Sequence, residues 1–343
     1  MILKRKIVTV MIIMAAFFAI TADAQQRVVL QSEGEMTTFA TANSFIDAYN
    51  AASDGDTIYL PGIEFSSPSP FNKRLVVYGT GHHPAATEAT GETIISGLLL
   101  DSGAAGSHFE GFRVNGNVTF TSNTKIDDVT LKRLHITARI LITGTNPDNN
   151  SDNISIIECI SGEIDAQNTK NLKIFNCFIQ SRIMNLANNG WVSNSVIVYG
   201  GHNFTNVHQS NIENNIVITP IASWSYQGVN DNSSGNTFSN NVFSKDPTGL
   251  ENNTWVNNHV DVDPEDLFVN YSRPFSYDAD YNLVNPGAYQ GTTGNEVGLY
   301  GGLSPAQPTA IPVVPHIIEH TIATSVNEQG EIEVSISVEA QEN

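Results

Sequence analysis

The chain has 343 residues, and its 16 Lys and Arg against 35 Asp and Glu give a net charge of −19. This charge excludes nucleic acid as the expected partner, and it would repel a polyanionic glycan unless a local basic patch or bridging cations reversed the field. The length fits one elongated domain with a small appendage.

The first predicted element is a signal peptide over residues 1–24. Basic residues 4–6 precede an apolar run at 7–20, and residues 22–24, Ala-Asp-Ala, have the small-x-small form of a cleavage site. No later segment approaches the ~20 apolar residues that cross a bilayer. The mature chain, with a net charge of about −21, is therefore expected in the periplasm, on the cell surface or in the medium, without a membrane span.

A short amphipathic helix is predicted over residues 41–52. Its apolar face is formed by Phe45, Ala48, Tyr49 and Ala52. A turn at residues 53–56 leads into a strand at 57–60. Such a helix would cover the end of the sheet that follows and block edge-to-edge pairing.

A repeated pattern of an apolar residue, Asn, a polar residue and further apolar residues then predicts an all-β fold, a right-handed parallel β-helix. The repeats are spaced 18, 20, 26 and 17 residues apart, at Asn176, Asn194, Asn214, Asn240 and Asn257. Asn suits the left-handed conformation at a corner between strands, and corners stacked about 4.8 Å apart could form an amide ladder. Arg133 and Glu158 occupy the same position in earlier repeats, where a salt bridge is expected.

Two columns of side chains are predicted to face inward. Two positions before each corner lie Leu131, Ile156, Ile174, Val192, Ile212, Phe238 and Trp255. Two positions after it lie His135, Ile160, Phe178, Val196, Ile216, Val242 and His259. If side chains alternate between the two faces of the strand without interruption at the corner, both columns lie in one core.

The two cysteines, Cys159 and Cys177, directly follow the corner in consecutive repeats, so they are expected to stack on adjacent coils. The coil spacing permits a disulfide if the exported compartment is oxidising. A stacked pair of reduced thiols is the alternative. A metal site would require further soft ligands, which the column does not show.

The longest repeat contains an insertion over residues 219–235. Trp224 and Tyr226 are two positions apart, so an extended loop would present both rings on one side as a platform for sugar rings. Tyr199 and His202 lie in a loop one coil earlier and complete the predicted ligand-binding site. The alternative is that Trp224 packs down to anchor the loop.

The C-terminal part is predicted to hold a Pro-rich connector at 304–315 and a β-hairpin segment at 316–343, with strands at 316–323 and 331–340. The β-helix with its N-terminal cap would then span residues 25–303. The acidic hairpin is expected to cap the open terminal coil, and docking to another surface component is the alternative.

Three stretches resemble right-handed parallel β-helix proteins of the pectin lyase-like superfamily, particularly exported bacterial members. They are AYNAASDGDTIYLPG at 48–62, YGTG at 78–81 and DVDPEDLFVN at 261–270. The resemblance covers residues 28–303 and implies the fold. Function stays open, because the superfamily holds lyases, hydrolases, tailspikes and adhesins.

The resemblance also implies candidate catalytic residues. Uronate lyases of this fold use a basic residue to abstract a proton, with calcium or another cation on the substrate carboxylate. Lys132, Arg133 and Arg139 belong to the densest basic cluster here, although solvated charged faces are the preferred explanation for them. Polygalacturonase-like hydrolases need several Asp residues and a Gly-His-Gly element, whose nearest match at residues 200–203 lacks the aspartates.

Asp261, Asp263 and Glu265 could collect calcium, although a terminal turn of the β-helix explains them too. The leading hypothesis is an exported protein that binds a polysaccharide or another cell-surface component without turning it over and without a cofactor. One alternative is a polysaccharide lyase acting on uronate-containing glycans, with calcium. The other is a purely structural surface protein.

Overall fold

The computed structural model describes residues 27–219, 228–230, 232–307, 309–323, 325–327 and 329–339. These residues form a parallel β-solenoid of about ten coils, as predicted. The predicted signal peptide lies outside them. Within the described ranges, no helix is both long and apolar enough to span a bilayer.

The N-terminal cap consists of a hairpin and one helix. The strands Val28–Ser32 and Glu35–Phe39 pair with each other, and the first also pairs antiparallel with Thr57–Tyr59 on the first coil. The helix Ser44–Ala51 confirms the predicted amphipathic element, and its apolar face is buried against the first coil. The edge and the end of the solenoid are therefore both covered at this terminus.

Each coil contributes strands to stacks that run along the solenoid axis. The first stack contains Thr57–Tyr59, Val76–Tyr78, His108–Val114, Thr130–Ile136, Ser155–Ile157, Lys173–Phe175, Trp191–Ser193, Asn211–Glu213, Thr237–Ser239 and Thr254–Val256. The second contains the later halves of the two seven-residue strands and Glu64–Phe65, Ile94–Ile95, Ile160–Ser161, Phe178–Ile179, Val196–Val198, Ile216–Ile218 and Val242–Phe243. The third contains Leu98–Leu100, Val118–Phe120, Ile140–Ile142, Ile164–Asp165, Ile183–Met184 and Phe204–Thr205. Shorter elements are the strand pair Ser151–Asp152 and Thr169–Lys170 and the 3₁₀ turns Ser102–Ala104, Pro147–Asn149 and Pro286–Ala288.

A left-handed residue marks the corner between the first and second stacks, as predicted. The corner φ angles lie between 50° and 58° for Arg133, Glu158, Asn176, Asn194, Asn214, Asn240 and Asn257. The expected salt bridge across two corners is confirmed, with Arg133 Nε 3.0 Å from Glu158 Oε2. Asn dominates these corners because it adopts this conformation at lower cost than most residues.

The column two positions before the corner is buried in the axial core, as predicted, except for the partly buried Trp255. The column two positions after the corner faces outward, so the prediction for it was wrong. In the second stack the inward positions come one residue later, at Val114, Ile136, Ile179, Ile197, Val217 and Phe243. The left-handed residue redirects the chain, so the alternation of side chains does not carry across it.

The outward column is covered by a return segment, residues 264–307 and 309–312. This segment starts with the helix Pro264–Leu267 and the antiparallel strands Phe268–Asn270 and Asp280–Leu283. Its apolar side chains pack on Ile160, Phe178, Val196, Ile216 and Val242. The second apolar layer therefore lies outside the solenoid, beneath the C-terminal part of the chain.

The return segment runs back along the corners. Gly298 N donates to Asn214 O at 2.8 Å on the eighth coil, and Pro312 packs on Gly111 on the third coil. Ala310 and Ile311, within the predicted connector, are buried. The end of the connector is thus attached to the solenoid near its N-terminal end.

The amide ladder lies one residue after the corner, so its predicted position was wrong. Asn215 Nδ2 donates to Asn241 Oδ1 at 3.0 Å, and Asn241 Nδ2 donates to Asn258 Oδ1 at 3.0 Å. These side chains point inward, where an amide must find partners within the fold. The corner residue Asn176 instead donates to Leu299 O of the return segment at 2.9 Å.

The C-terminal hairpin is confirmed and pairs His316–Ile322 with Val334–Glu339. The predicted capping of the terminal coil was wrong. The hairpin follows Pro312, which lies on the third coil, and its apolar residues Ile336 and Val338 are 55% and 59% exposed. A hairpin in contact with the terminal coil would bury them.

Candidate functional site

The predicted basic cluster is held in ion pairs at the solenoid corner. Arg133 is buried, and its guanidinium contacts Glu158 at 3.0 Å and Glu110 at 3.4 Å. It also donates to Ile311 O at 2.7 Å, while Glu158 Oε2 accepts from Gln307 N at 2.8 Å. Arg133 therefore connects three coils to the return segment.

The other two members of the cluster also lie beside carboxylates. Lys132 Nζ is 3.6 Å from Glu110 Oε1, and Arg139 is 3.4 Å from Glu163 Oε1. Burial alone would raise the pKa of Glu110, but the hydrogen bond with His108 and the charge of Lys132 outweigh it and lower the pKa. Lys132 lies on the strand Thr130–Ile136 of the first stack, whereas Arg139 directly precedes the strand Ile140–Ile142 of the third stack, so the two do not form one convergent set with Arg133.

Two of the three residues predicted as calcium ligands accept hydrogen bonds from backbone N–H groups. Asp263 caps the helix Pro264–Leu267 by accepting from Glu265 N at 3.0 Å, and Asp261 Oδ1 accepts from Asp246 N at 3.3 Å. No three His, Cys, Asp or Glu residues in the described ranges come together in a way that could hold a metal ion.

Cys159 and Cys177 stack on adjacent coils, as predicted from their spacing. Cys159 N lies 3.4 Å from Cys177 Sγ, and both sulfurs are buried free thiols. Burial raises the pKa of the Cys177 thiol well above its ordinary value, so it stays protonated and unreactive at neutral pH.

The other predicted site residues line an open groove beside the return segment. We call it the Tyr199 groove, and its volume is about 580 Å³. Its polar and aromatic lining is Gln180, Arg182, Tyr199, His202, Thr205 and Arg273. Trp224 and Tyr226, the remaining members of the predicted site, lie outside the described residues.

The walls of the groove are held by specific contacts. Asn203 is buried and donates to Ile197 O at 2.9 Å and Ile218 O at 3.0 Å, which fixes the loop bearing Tyr199 and His202. These bonds join neighbouring strands of the second stack across a two-glycine loop. The position of this wall therefore follows from the solenoid itself.

Two guanidinium groups make the groove locally basic. Arg182 lies over the Tyr199 ring at 5.9 Å, and its Nε contacts Glu163 Oε2 at 2.8 Å. Arg273 enters from the return segment, is exposed, and makes no ion pair with a described residue. Phe275 N donates to Gln180 Oε1 at 3.0 Å and anchors the loop that carries Arg273.

A buried His–Tyr cluster holds the other side of the same loop. Tyr277 Oη lies 2.9 Å from His82 Nδ1 and 2.7 Å from His135 Nδ1. A hydroxyl has one hydrogen, so it donates to one imidazole and accepts from the other, and the two rings take opposite tautomers. The His83 ring packs edge-on against Tyr277 with centroids 4.9 Å apart.

Both hydrogen-bonded histidines are neutral. Burial lowers the pKa of His135 to about 4, with the positive charge of Arg113 adding to the effect. Burial also lowers the pKa of His82 well below its ordinary value, helped by His135. Burial raises the pKa of Tyr277, so its hydroxyl keeps its proton. The cluster therefore acts as a neutral hydrogen-bonded tie, beside a cavity of about 120 Å³.

No pattern in the sequence marked Arg273 or the His82–Tyr277 contact. Tyr277 and His82 are separated by 195 positions along the chain, and they meet because the return segment reaches the early coils. The contact between Arg182 and Tyr199 likewise follows from the stacking of neighbouring coils.

The chain matches no protein-family model, no curated protein and no solved structure in the three comparisons.

Proposed function

We propose that this chain is an exported β-solenoid protein of the pectin lyase-like type that binds a glycan through the Tyr199 groove without turning it over. The observation that carries this proposal is the open groove in which Tyr199 and His202 are joined by Arg182 and Arg273. No described residue of the solenoid supplies a convergent catalytic set beside it.

The chemistry of the groove suits a sugar. The face of the Tyr199 ring can pack against the apolar C–H face of a pyranose, while the guanidinium groups offer several donors to hydroxyl or carboxylate oxygens. The groove wall is already fixed by Asn203 and by the Gln180 contact, so the protein loses little conformational freedom of its own when a glycan binds. The two arginines also form a local basic patch on a chain that is acidic overall.

The test is retention of the purified protein on a panel of neutral and acidic polysaccharides. We expect Tyr199→Ala and Arg273→Ala to weaken retention at least tenfold, about 1.4 kcal/mol each. Arg74→Ala is the control, because it removes one exposed guanidinium on the early coils.

Three other results would overturn the proposal. Equal retention of wild type and both groove variants would exclude the groove as the site. New ultraviolet absorbance from unsaturated uronate products would establish a lyase instead. Absence of both retention and product for every glycan would favour a structural role.

A further inference from the structure

A second surface of the solenoid carries an exposed tryptophan. Trp191 lies on the outer face of the first stack, and 41% of its surface is exposed. Trp is highly buried on average, so an indole exposed to this extent on a regular sheet is informative. No residue of this surface lines the Tyr199 groove.

The indole is held rigidly although it is exposed. Its Nε1 donates to Glu213 Oε1 on the next coil at 3.1 Å. Phe175 on the preceding coil packs against it edge to face, with ring centroids 4.9 Å apart. Glu213 and Phe175 therefore restrict the ring from both sides, and little side-chain freedom remains to be lost on binding.

Polar side chains continue the row on either side of Trp191. In the register of the first stack, Trp191 is flanked by Lys173 and Asn211, and Thr237 and Thr254 follow on the next two coils. Neighbouring strands in a sheet are about 4.8 Å apart, a spacing close to the length of one sugar ring. We define the Trp191 face as Lys173, Phe175, Trp191, Asn211, Glu213, Thr237 and Thr254.

We propose that the Trp191 face binds a neutral linear polysaccharide that lies along the solenoid axis, with one sugar ring stacked on the indole. A pyranose has an apolar C–H face and a polar rim, so it needs an aromatic platform and hydrogen-bonding groups at regular intervals. This face supplies both.

Charge and composition decide between this occupant and others. A polyanionic chain would pass beside Glu213 on an acidic protein, which disfavours it. A protein partner would need a larger apolar centre than one indole and one phenyl ring surrounded by hydroxyl and amide groups. A neutral glycan meets the polar row through its hydroxyl groups and brings no further charge beside Glu213 or Lys173, whose ammonium already donates to Asn153 Oδ1 at 3.0 Å.

The experiment uses the fluorescence of Trp191. The chain contains three tryptophans, so the double variant Trp224→Phe and Trp255→Phe leaves Trp191 as its single indole emitter. We expect cellohexaose, mannohexaose or xylohexaose to produce a saturable change in its emission. In the otherwise native protein, Trp191→Ala should lower the affinity for the same hexasaccharide at least tenfold, whereas Trp191→Tyr should retain most of it.

Two results would overturn the proposal. One is the absence of a saturable emission change with all three hexasaccharides. The other is unchanged affinity in Trp191→Ala, with urea unfolding confirming that the variant is folded. Tyr199→Ala serves as the control and should leave the Trp191 signal intact. This control separates failure of the Tyr199 groove from failure of the Trp191 face.

Discussion

Acidification should loosen the return segment through His135. The imidazole has a pKa of about 6.5 when exposed and about 4 in the fold. Because the folded state favours the neutral ring, this contribution to stability is complete above pH 6.5 and is lost progressively as the pH falls toward 4. Protonation would also disrupt the hydrogen bonding that Tyr277 makes between His135 and His82.

The size of the effect follows from the two pKa values. At pH 4.5 the exposed ring of His135 is almost fully protonated and the folded ring only about one quarter, which lowers the stability of the closed segment by about 2.5 kcal/mol. Burial of His82 lowers its pKa as well, so His82 adds a contribution of the same sign.

The assay is hydrogen exchange, read by mass spectrometry on peptides that cover residues 272–283, after correction for intrinsic exchange rates. Wild type is compared with His135→Gln, which keeps a polar side chain but does not titrate. Between pH 7 and 4.5, we expect the opening free energy of this segment to fall about 2.5 kcal/mol more in wild type than in the variant.

Carboxylates titrate in both proteins over the same range, so the difference between the two proteins isolates His135. Peptides over residues 237–243, in the amide ladder, are the internal control and should respond to pH equally in both proteins. If the opening free energy over residues 272–283 depends on pH equally in both proteins, His135 is not the group through which acid loosens the return segment.

Three further predictions concern how the coils are joined. Asn241→Ala should lower the free energy of unfolding in urea by about 3 kcal/mol, because the loss of its buried amide leaves two backbone groups of the preceding coil, Asn215 N and Ile212 O, unpaired; a loss below about 1 kcal/mol would contradict this. Gly111→Ala should detach the end of the return segment, since Gly111 has φ +77° and an added Cβ would meet Pro312, and protease cleavage at residues 306–312 should increase. Gly106→Ala, with φ +79° but no contact to Pro312, is the matched control and should leave cleavage there unchanged. Arg133→Met should cost about 3–5 kcal/mol at pH 7 in urea unfolding because it leaves Glu158 without its buried partner, and a similar loss at pH 4.5 would argue against that reason.

The repeating elements of this protein were predictable from sequence because they depend on local conformation. A corner residue must adopt a left-handed φ, and Asn does so readily, so the spacing of Asn176, Asn194 and Asn214 showed the period of the solenoid. The period in turn predicted the stacking of Cys159 on Cys177. The capping helix was predictable for the same reason, since the periodic spacing of its apolar residues lies within one short segment.

The direction in which each side chain points after the corner was decided by the folded backbone. Alternation along a strand is a local rule, and a left-handed residue interrupts it, so Phe178 and Val196 face outward although their spacing predicted the core. An exposed apolar column must be covered, and the return segment covers it. Tyr199 and His202 were recognised as a pair in sequence, but Arg273 joins them only through this long-range packing.

The sequence by itself therefore determined the solenoid, its period and its corners, because each repeat contains the residues that its own backbone conformation requires. Tertiary structure decided the second apolar layer, the Tyr199 groove and the His–Tyr cluster. These depend on contacts between segments far apart in the chain, from the 95 positions that separate Gln180 and Phe275 to the 195 that separate His82 and Tyr277. No local pattern encodes such contacts, because they follow from the surface that the finished coils present to the rest of the chain.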